Sequence, residues 1–162
     1  FERHVRDEHT GLDVAQFVAE VPVEAEVYVC GPIRLMDAVR REWLATGRRP
    51  ARLRFETFGN SGWFAPEPFT VRIPAQGVSF RVTPDQTLLE ALEAAGVDAL
   101  SDCRKGECGL CEARVVGLRG RIDHRDVFYS ERQRDAASKI CVCVSRVVAL
   151  EGGPAEVELQ LT

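Results

Sequence analysis

Four stretches of the chain carry the apolar spacing or the capping residues of an α-helix. Asp13 is placed to cap one helix, and Pro32 suits the first turn of another, which Gly47 ends. Thr87 and Glu90 have the spacing of a capping box, in which each side chain bonds the other residue's backbone N–H. The pattern predicts helices over 14–20, 32–47, 87–96 and 130–135.

Other stretches alternate between apolar and polar residues, or are continuously apolar, as β-strands are. The apolar run 26–30 is typical of a buried parallel strand. Two alternating runs on either side of 74–77 predict a β-hairpin, because a short loop containing glycine joins them. Further strands are predicted at 3–7, 52–58, 112–116, 140–147 and 157–161.

These elements fall into two groups with a break between them. Strand and helix alternate up to residue 62, which indicates a βαβ unit with parallel strands. A hairpin, a helix and further strands follow residue 68 and indicate an α+β domain. The intervening sequence, 59–68, is rich in glycine and proline. We therefore predict a first part at 1–62, a linker at 63–68 and a second part at 69–162.

Composition narrows the class of protein. An apolar fraction of 45% in 162 residues is enough for a buried core, and no run reaches the ~18 apolar residues of a membrane span. The net charge of −4 does not resemble a nucleic-acid-binding surface. We therefore expect neither a membrane nor a nucleic acid as partner. The chain opens on Phe1 with no secretory signal pattern, so we expect a cytoplasmic location and a fragment, a processed chain or a trimmed one.

The cysteines form the strongest chemical signal. Cys103, Cys108 and Cys111 have the spacing C-x4-C-x2-C with a glycine in each gap, and Cys141 and Cys143 follow late in the chain. This is the plant-type spacing of a 2Fe–2S cluster, in which one loop supplies three thiolates and a distant residue the fourth. Glycine suits such a loop, since it adopts positive φ angles and lets the backbone approach a ligand closely. Six cysteines without secretory features also indicate a reducing compartment.

Other metal sites fit the sequence less well. Structural zinc sites pair short C-x2-C or C-x2-H knuckles, whereas this chain has one x4 gap and one x2 gap. A Rieske centre needs two histidine ligands, and His4, His9 and His124 are scattered without a Cys-x-His pair. A cysteine-rich, zinc-binding structural module is kept as an alternative.

Two further segments accompany the cysteine motif, Asp-His-Arg-Asp at 123–126 and Cys-Val-Ser-Arg at 143–146. The cysteine motif resembles the plant-type ferredoxins, and with these segments the chain resembles the phthalate dioxygenase reductase family. The resemblance implies an α+β chain. Its second part would be a β-grasp 2Fe–2S ferredoxin domain, and its first part the C-terminal βαβ portion of a ferredoxin-reductase-type nucleotide-binding domain.

The first part carries a resemblance of its own. Cys30-Gly31-Pro32 is similar to the CGP segment that closes the NAD-binding domain of ferredoxin-reductase-type flavoproteins, and the residues at 54–59 are similar to that domain's last strand. In that family the cysteine lies beside the nicotinamide ring, and a terminal aromatic residue stacks on the flavin. The resemblance therefore assigns cofactor binding to Cys30, Gly31, Pro32 and Phe58. Residues 1–162 include neither a flavin domain nor the glycine-rich phosphate loop that begins a nucleotide-binding domain.

The fourth cluster ligand has two candidates. A plain x29 spacing from Cys111 selects Cys141, whereas the family's Cys-Val-Ser-Arg segment selects Cys143. Cys141 and Cys143 are two residues apart in one predicted strand, so both side chains would point to the same face. Residues 116–121 look like a slightly lengthened loop, which would explain a longer spacing between Cys111 and the fourth ligand. The resemblance therefore implies that the metal ligands are Cys103, Cys108, Cys111 and Cys143, with Cys141 as a small core residue.

Electron transfer is the function that these resemblances imply. Iron–sulfur clusters pass single electrons, nicotinamide delivers a hydride, and a flavin is the usual converter between them. For the full-length parent the family implies NAD(P)H and FMN as cofactors and the parent's flavin domain as donor. The acceptor would be a separate or fused oxygenase, of the Rieske or haem type. A stand-alone ferredoxin-like carrier is the alternative. We expect the chain itself to be a carrier with no catalytic residue, and the parent to be an NAD(P)H-dependent oxidoreductase.

Overall fold

The computed structural model describes residues 11–56, 62–150 and 153–161. The chain divides into two compact units, Phe1–Glu56 and Thr57–Thr162. The strand predicted at 3–7, the end of the strand predicted at 52–58 and the flavin-stacking candidate Phe58 lie outside the described residues. Within the described ranges, none of the helices has the length and apolar character needed to cross a membrane.

The first unit contains two helices and two parallel strands. Helix α1 spans Val14–Glu20 and begins at Asp13, whose carboxylate accepts a hydrogen bond from the Gln16 N–H (3.0 Å). Strand β1 spans Val27–Cys30, helix α2 spans Ile33–Ala45, and strand β2 spans Leu53–Glu56. Strands β1 and β2 pair in parallel with α2 between them in the chain, so the predicted βαβ unit is confirmed.

The core of the first unit forms where α2 packs against β2 and α1. Its buried residues are Val18, Val39, Trp43 and Leu53. The prediction that β1 is a buried strand is wrong, because its residues alternate between half-buried and exposed and Tyr28 is 76% exposed. Among the described residues β1 has a single neighbouring strand, which leaves one of its edges and one face uncovered.

The second unit is built around a five-stranded sheet. Its hairpin consists of β3, Phe69–Ile73, and β4, Val78–Val82, joined by a turn in which Gly77 has a φ of +65°. The later strands are β5, Glu112–Arg119; β6, Arg121–Asp123; β7, Lys139–Cys141; β8, Arg146–Val148; and β9, Glu156–Gln160. The sheet order is β4-β3-β9-β5-β7, in which only β3 and β9 are parallel, and β6 and β8 form a separate antiparallel pair.

Two capped helices complete the described part of the second unit, α3 over Leu88–Ala94 and α4 over Glu131–Asp135. The Thr87 hydroxyl accepts from the Glu90 N–H (3.1 Å), and the Glu90 carboxylate accepts from the Thr87 N–H (2.7 Å). This is the predicted capping box, and Ser130 and Gln133 form a second one at α4. The helices predicted at 87–96 and 130–135 are therefore confirmed.

The single strand predicted over 140–147 is wrong. Strand β7 ends at Cys141, and β8 begins at Arg146 and pairs with β6 instead of with the main sheet. Between them the Ser145 N–H donates to the Cys141 carbonyl (3.0 Å), which closes a helix-like turn. Cys143 lies in this turn, so Cys141 and Cys143 do not share one face of a strand.

Strand β5 is longer than the strand predicted at 112–116. It contains a bulge, because Val115 lies opposite Leu159 and Gly117 lies opposite Glu158, which leaves Val116 as the extra residue. Part of the segment that was predicted to be an extended loop therefore continues the strand.

Residues from the predicted linker are bound to the second unit. The Trp63 N–H donates to Asp123 Oδ1 (2.9 Å), and the Phe64 carbonyl accepts from Arg125 Nη2 (3.2 Å). The Arg121 guanidinium also lies over the Phe64 ring, 5.6 Å from its centroid. The ranges 1–62, 63–68 and 69–162 for the first part, the linker and the second part stay a prediction. The boundary between the two compact units falls between residues 56 and 57.

The core of the second unit is formed by α3 and by apolar residues of the main sheet. Its largest buried side chains are Tyr129, Phe69, Ile73, Leu88, Leu89, Leu92, Ile140 and Leu159. A hairpin, a helix and returning strands in one mixed sheet constitute a β-grasp arrangement. The α+β class and the β-grasp architecture are therefore confirmed, with the βαβ portion of the first unit preceding them in the chain.

Candidate metal centre

The loop at 103–111 connects α3 to β5 and carries three of the predicted ligands. Its path requires glycine at Gly106, which has a φ of +75°. A Cβ at this position would lie 2.6 Å from Val144 Cγ2 and 2.9 Å from Asp126 Cα. The backbone therefore passes close to the segments behind it, as the sequence predicted for a loop that wraps a cluster.

Gly109 is the second constrained glycine of this loop, with a φ of +73°. A Cβ here would lie 2.2 Å from the ring of Phe128, so the aromatic ring rests directly on the Gly109 backbone. Phe128 is 42% exposed, and Leu110, the residue after Gly109, is 48% exposed. One side of the loop is thus covered by an aromatic ring that also faces solvent.

The structure places the four predicted ligand thiols as two pairs. Cys111 Sγ and Cys143 Sγ lie 3.1 Å apart, and both residues are buried. The thiols of Cys103 and Cys108 are hydrogen-bonded to each other on the more exposed side of the loop. The two pairs are also neighbours, because Gly106, between Cys103 and Cys108, lies against Val144, the residue that follows Cys143.

Backbone N–H groups of the loop converge on Cys103. Burial acts to raise the pKa of Cys103, but the N–H groups of Lys105, Glu107 and Cys108 donate to its sulfur, and the net effect lowers the pKa. Thiolate is the form of cysteine that binds metal, so these donors favour the ligating state. Hydrogen bonds to cluster sulfurs are also among the features that set a reduction potential.

The groups around Cys111 favour its thiolate form. Hydrogen bonds from the thiols of Cys141 and Cys143 lower the pKa of Cys111 to about 3, although burial opposes them. The pKa values of Cys141 and Cys143 are raised in turn, because each hydrogen-bonds to Cys111 and each is buried. The Gly106 N–H is hydrogen-bonded to the Cys143 sulfur, so this pair also has a backbone donor.

The thiol arrangement suits a two-iron cluster better than a single ion. Among the residues that the structure describes, no group of three or more His, Cys, Asp or Glu side chains is arranged to hold one metal ion. A structural zinc ion would need four ligands around one point. A 2Fe–2S cluster distributes its four protein ligands over two irons. Two neighbouring thiol pairs, backbone donors and a glycine-lined loop are the features that such a cluster requires.

A buried Asp-His-Arg-Asp segment supports the loop from behind. The Asp126 carboxylate accepts from the Ser145 hydroxyl (3.1 Å) and the Tyr129 N–H (3.0 Å), and it pairs with His124 Nδ1 (3.2 Å). Burial acts to raise the pKa of Asp126, but these hydrogen bonds and nearby cations hold it below its usual value. Because Asp126 lies against Gly106, the network positions the loop rather than offering a free ligand.

The polar neighbours of Cys141 were missed at the level of sequence. Cys141 is fully buried and lies opposite Glu112 in the β5–β7 pair. Its thiol is hydrogen-bonded to Cys111 and to the Tyr129 hydroxyl, and that hydroxyl donates to Glu112 Oε2 (3.0 Å). No spacing in the sequence connects these residues, because the contact depends on how the chain after β6 folds back over the sheet.

The cofactor-binding candidates of the first unit lie at the carboxyl end of β1. Cys30 is the last residue of the strand and is exposed, Gly31 has a φ of +149°, and Pro32 is the N-cap of α2. The carboxyl ends of parallel strands are where ligands bind in open α/β sheets. The fourth candidate, Phe58, lies outside the described residues, so these four assignments stay predictions.

Comparison with known proteins identifies the second unit. Residues 71–148 match the family model of the 2Fe–2S iron–sulfur cluster binding domain. Phthalate dioxygenase reductase of Burkholderia cepacia is 40% identical over 128 residues, which cover 77% of this chain and 38% of that protein. The β subunit of the heme-dependent oxidative N-demethylase of Ectopseudomonas mendocina is 37% identical over 135 residues, which cover 83% of this chain and 42% of that protein.

A solved structure agrees with these relatives. The structure of phthalate dioxygenase reductase, described as modular for electron transfer from pyridine nucleotides to [2Fe–2S], superposes with a TM-score of 0.58 and 31% identity. The match covers 94% of this chain and 45% of that one. The chain thus spans less than half the length of the relatives it matches. Sequence and structure together show that residues 71–148 belong to the 2Fe–2S iron–sulfur cluster binding domain family and that the chain is a relative of phthalate dioxygenase reductase.

Proposed function

We propose that this chain is the electron-carrying end of an NAD(P)H- and flavin-dependent reductase that feeds an oxygenase of the Rieske or haem type. The observation that carries the proposal is that two thiol pairs, Cys103 with Cys108 and Cys111 with Cys143, lie inside a 2Fe–2S cluster binding domain. The relatives support the acceptor class, since one is named a dioxygenase reductase and another the β subunit of a heme-dependent N-demethylase.

In this proposal each thiol pair binds one iron. A bound 2Fe–2S cluster supplies one-electron transfer. Cys103 and Cys108 would hold an iron on the more exposed side, and the buried Cys111 and Cys143 would hold the other. The Gly106 N–H and the other loop donors stabilise the negative charge that the sulfurs carry.

A donor or acceptor would come close to a bound cluster on the exposed side of the loop. Cys108 is exposed and Cys103 is half-buried, whereas the other two ligands are buried. Electron transfer requires close approach, so donor and acceptor contact the surface near Cys108. The exposed side chains of Leu110, on this loop, and of Phe128, whose ring packs against Gly109, contribute apolar area to that contact.

The first unit corresponds to the end of the NAD(P)H-binding domain of the parent protein. Cys30, Gly31 and Pro32 would then lie near the nicotinamide, and the family resemblance assigns Phe58 to the FMN that would pass electrons to the cluster. The exposure of Cys30 at the carboxyl end of a parallel strand supports this role. All six cysteines are free in the structure, which supports a reducing compartment such as the cytoplasm.

Iron analysis of serine variants tests the ligand set. Purified protein should contain two irons and two acid-labile sulfides per chain, and dithionite reduction should produce the electron paramagnetic resonance signal of a 2Fe–2S cluster. Cys143→Ser should lose most of the iron and the visible absorption, whereas Cys141→Ser should keep both.

Two results would contradict the proposal at different levels. A colourless protein that contains zinc and no iron would remove the electron-transfer function. Loss of the cluster in Cys141→Ser but not in Cys143→Ser would leave the function in place and replace the fourth ligand.

A further inference from the structure

Gly62, Trp63 and Phe64 form the entry segment of the second unit, and this segment lies on a buried ion pair. Arg125 Nε donates to Asp123 Oδ2 (2.9 Å), and both residues are buried. A Cβ at Gly62 would overlap these two atoms and lie 2.6 Å from Arg125 Cζ, so the Gly62 backbone rests on the pair. The Trp63 N–H bonds Asp123 Oδ1 (2.9 Å), and the Phe64 carbonyl accepts from Arg125 Nη2 (3.2 Å).

The same arginine is bonded to the turn that carries Cys143. Its backbone N–H donates to Ser145 Oγ (3.1 Å), and the Ser145 hydroxyl donates to Asp126 Oδ1 (3.1 Å). Ser145 also closes the turn, because its N–H donates to the Cys141 carbonyl (3.0 Å). Arg125 therefore holds the entry segment through its side chain and the turn through its backbone.

The two residues after Arg125 contact the loop that carries the other proposed ligands. The Val127 N–H donates to the Gly106 carbonyl (3.0 Å). Asp126 Cα lies 2.9 Å from the place that a Cβ at Gly106 would occupy. Energetic coupling between separated sites is carried by packed and hydrogen-bonded groups of this kind.

We propose that Arg125 is a positioning residue that couples the entry segment to the metal centre, so that displacing the entry segment from the ion pair loosens the turn at Cys143. This rests on the proposed function, in which Cys143 is a cluster ligand. The segment through which the chain enters the second unit is then also the place where a change in the preceding chain reaches the cluster.

Alanine at Gly62 tests the coupling, and alanine at Gly11 is the matched control. Neither glycine has a left-handed φ, so each substitution adds a Cβ without backbone strain. The Cβ at Gly62 displaces the ion pair, whereas no atom lies within 4 Å of the Cβ at Gly11. Gly62→Ala should lose iron to a chelator about tenfold faster than the wild type, the factor for one lost hydrogen bond to a charged group. Gly11→Ala should match the wild type.

Two further readouts separate positioning from a general loss of stability. The Val144 and Ser145 N–H groups both donate to the Cys141 carbonyl, so their hydrogen exchange reports opening of the turn. In Gly62→Ala these amides should exchange about tenfold faster, while the amides of β3 keep their wild-type rates. The electron paramagnetic resonance g values of the reduced cluster should also shift, because the geometry at Cys143 changes.

Ser145→Ala tests the path of the coupling. It removes the oxygen that accepts from the Arg125 N–H and keeps the N–H that closes the turn. The turn amides should already exchange faster in Ser145→Ala, and adding Gly62→Ala should change their rates by less than about twofold. Arg125→Lys leaves the entry segment unchanged and should act like Gly62→Ala. One ammonium cannot bond both Asp123 and the entry segment as the planar guanidinium does.

The outcomes separate this inference from the proposed function. Equal rates in Gly62→Ala and Gly11→Ala would overturn the inference, and so would an equal acceleration of exchange in the turn and in β3. An effect of Gly62→Ala that persists undiminished in Ser145→Ala would overturn the role of Arg125. A wild-type protein without iron would contradict the proposed function instead, and the exchange rates would still test the coupling.

Discussion

Gly106 shows how one residue can serve both the backbone and the metal centre. Its N–H is hydrogen-bonded to the sulfur of Cys143, and its carbonyl accepts from the Val127 N–H (3.0 Å). Its φ of +75° is rarely adopted by residues with a side chain, and Val144 and Asp126 occupy the space where a Cβ would lie. Conformation, space and hydrogen bonding all require glycine here.

Alanine at Gly106 should therefore cost stability and cluster content. The left-handed conformation costs about 1–2 kcal/mol for a residue with a Cβ, and overpacking adds about 1–3 kcal/mol. We expect Gly106→Ala to lose most of its iron and to unfold at a lower urea concentration than the wild type. Gly96→Ala is the control, because Gly96 has a φ of +72° with no atom within 4 Å of its virtual Cβ.

Gly96→Ala should lose only the stability that the left-handed conformation costs, and it should keep its iron. Equal iron content and equal unfolding midpoints in the two variants would show that the space around Gly106 does not matter. Iron per chain and urea unfolding followed by circular dichroism measure both quantities.

At the scale of elements, Arg146 ties β8 to the loops that precede β3 and α3. Its guanidinium donates to the carbonyls of Gln86 (2.6 Å), Thr83 (2.9 Å) and Glu67 (3.1 Å). The side chain is buried, and burial, with the charge of Arg125, lowers the pKa of Arg146. In addition to its pairing with β6, this short strand is therefore tied to both loops by one side chain.

Replacing Arg146 by lysine should destabilise the second unit although the charge is kept. A single ammonium on a flexible stem cannot reach three carbonyls that a planar guanidinium spans, and each lost hydrogen bond to a charged group costs about 1.5–3 kcal/mol. We expect Arg146→Lys to lower the free energy of unfolding by about 2 kcal/mol in urea. Arg81→Lys, at an exposed position of β4, is the control and should have no measurable effect; a change in Arg146→Lys no larger than in this control would contradict the assignment.

At the scale of the whole molecule, the chain consists of two compact units with separate cores. The first core is formed around Val18, Val39 and Trp43, and the second is formed by the sheet and α3. The proposed metal ligands all belong to the second unit. Units with their own hydrophobic cores generally fold independently.

A shortened chain that begins at Thr57 should therefore assemble the metal centre by itself. We expect it to contain the same amount of iron and sulfide per chain as the full 162 residues, with the same visible spectrum and the same electron paramagnetic resonance signal. A shortened chain that folds but binds no iron would show that the first unit takes part in building the centre. Circular dichroism of the shortened chain is the control for folding.

Local signals in the sequence were sufficient for the helices of the second unit and for the hairpin. The capping box at Thr87 and the turn at Gly77 depend on residues three or four positions apart, so the sequence contains the whole interaction. The prediction of one strand over 140–147 was wrong. β-branched and apolar residues continue through this segment, but the chain turns after Cys141 and β8 pairs with β6. Strand propensity does not report which partner a segment will find.

The amino-acid sequence by itself determined that three cysteines and two glycines lie on one loop, because the spacing of neighbours is a property of the chain. It also determined the two-part organisation, since composition and periodicity change at the glycine- and proline-rich segment. Only the tertiary structure decided that Cys143 approaches Cys111 to 3.1 Å, and that Cys141 contacts Tyr129 rather than packing among apolar residues alone. These contacts join residues far apart in sequence, and they depend on the turn after β7, which is stabilised by packing and backbone hydrogen bonds that no local pattern specifies.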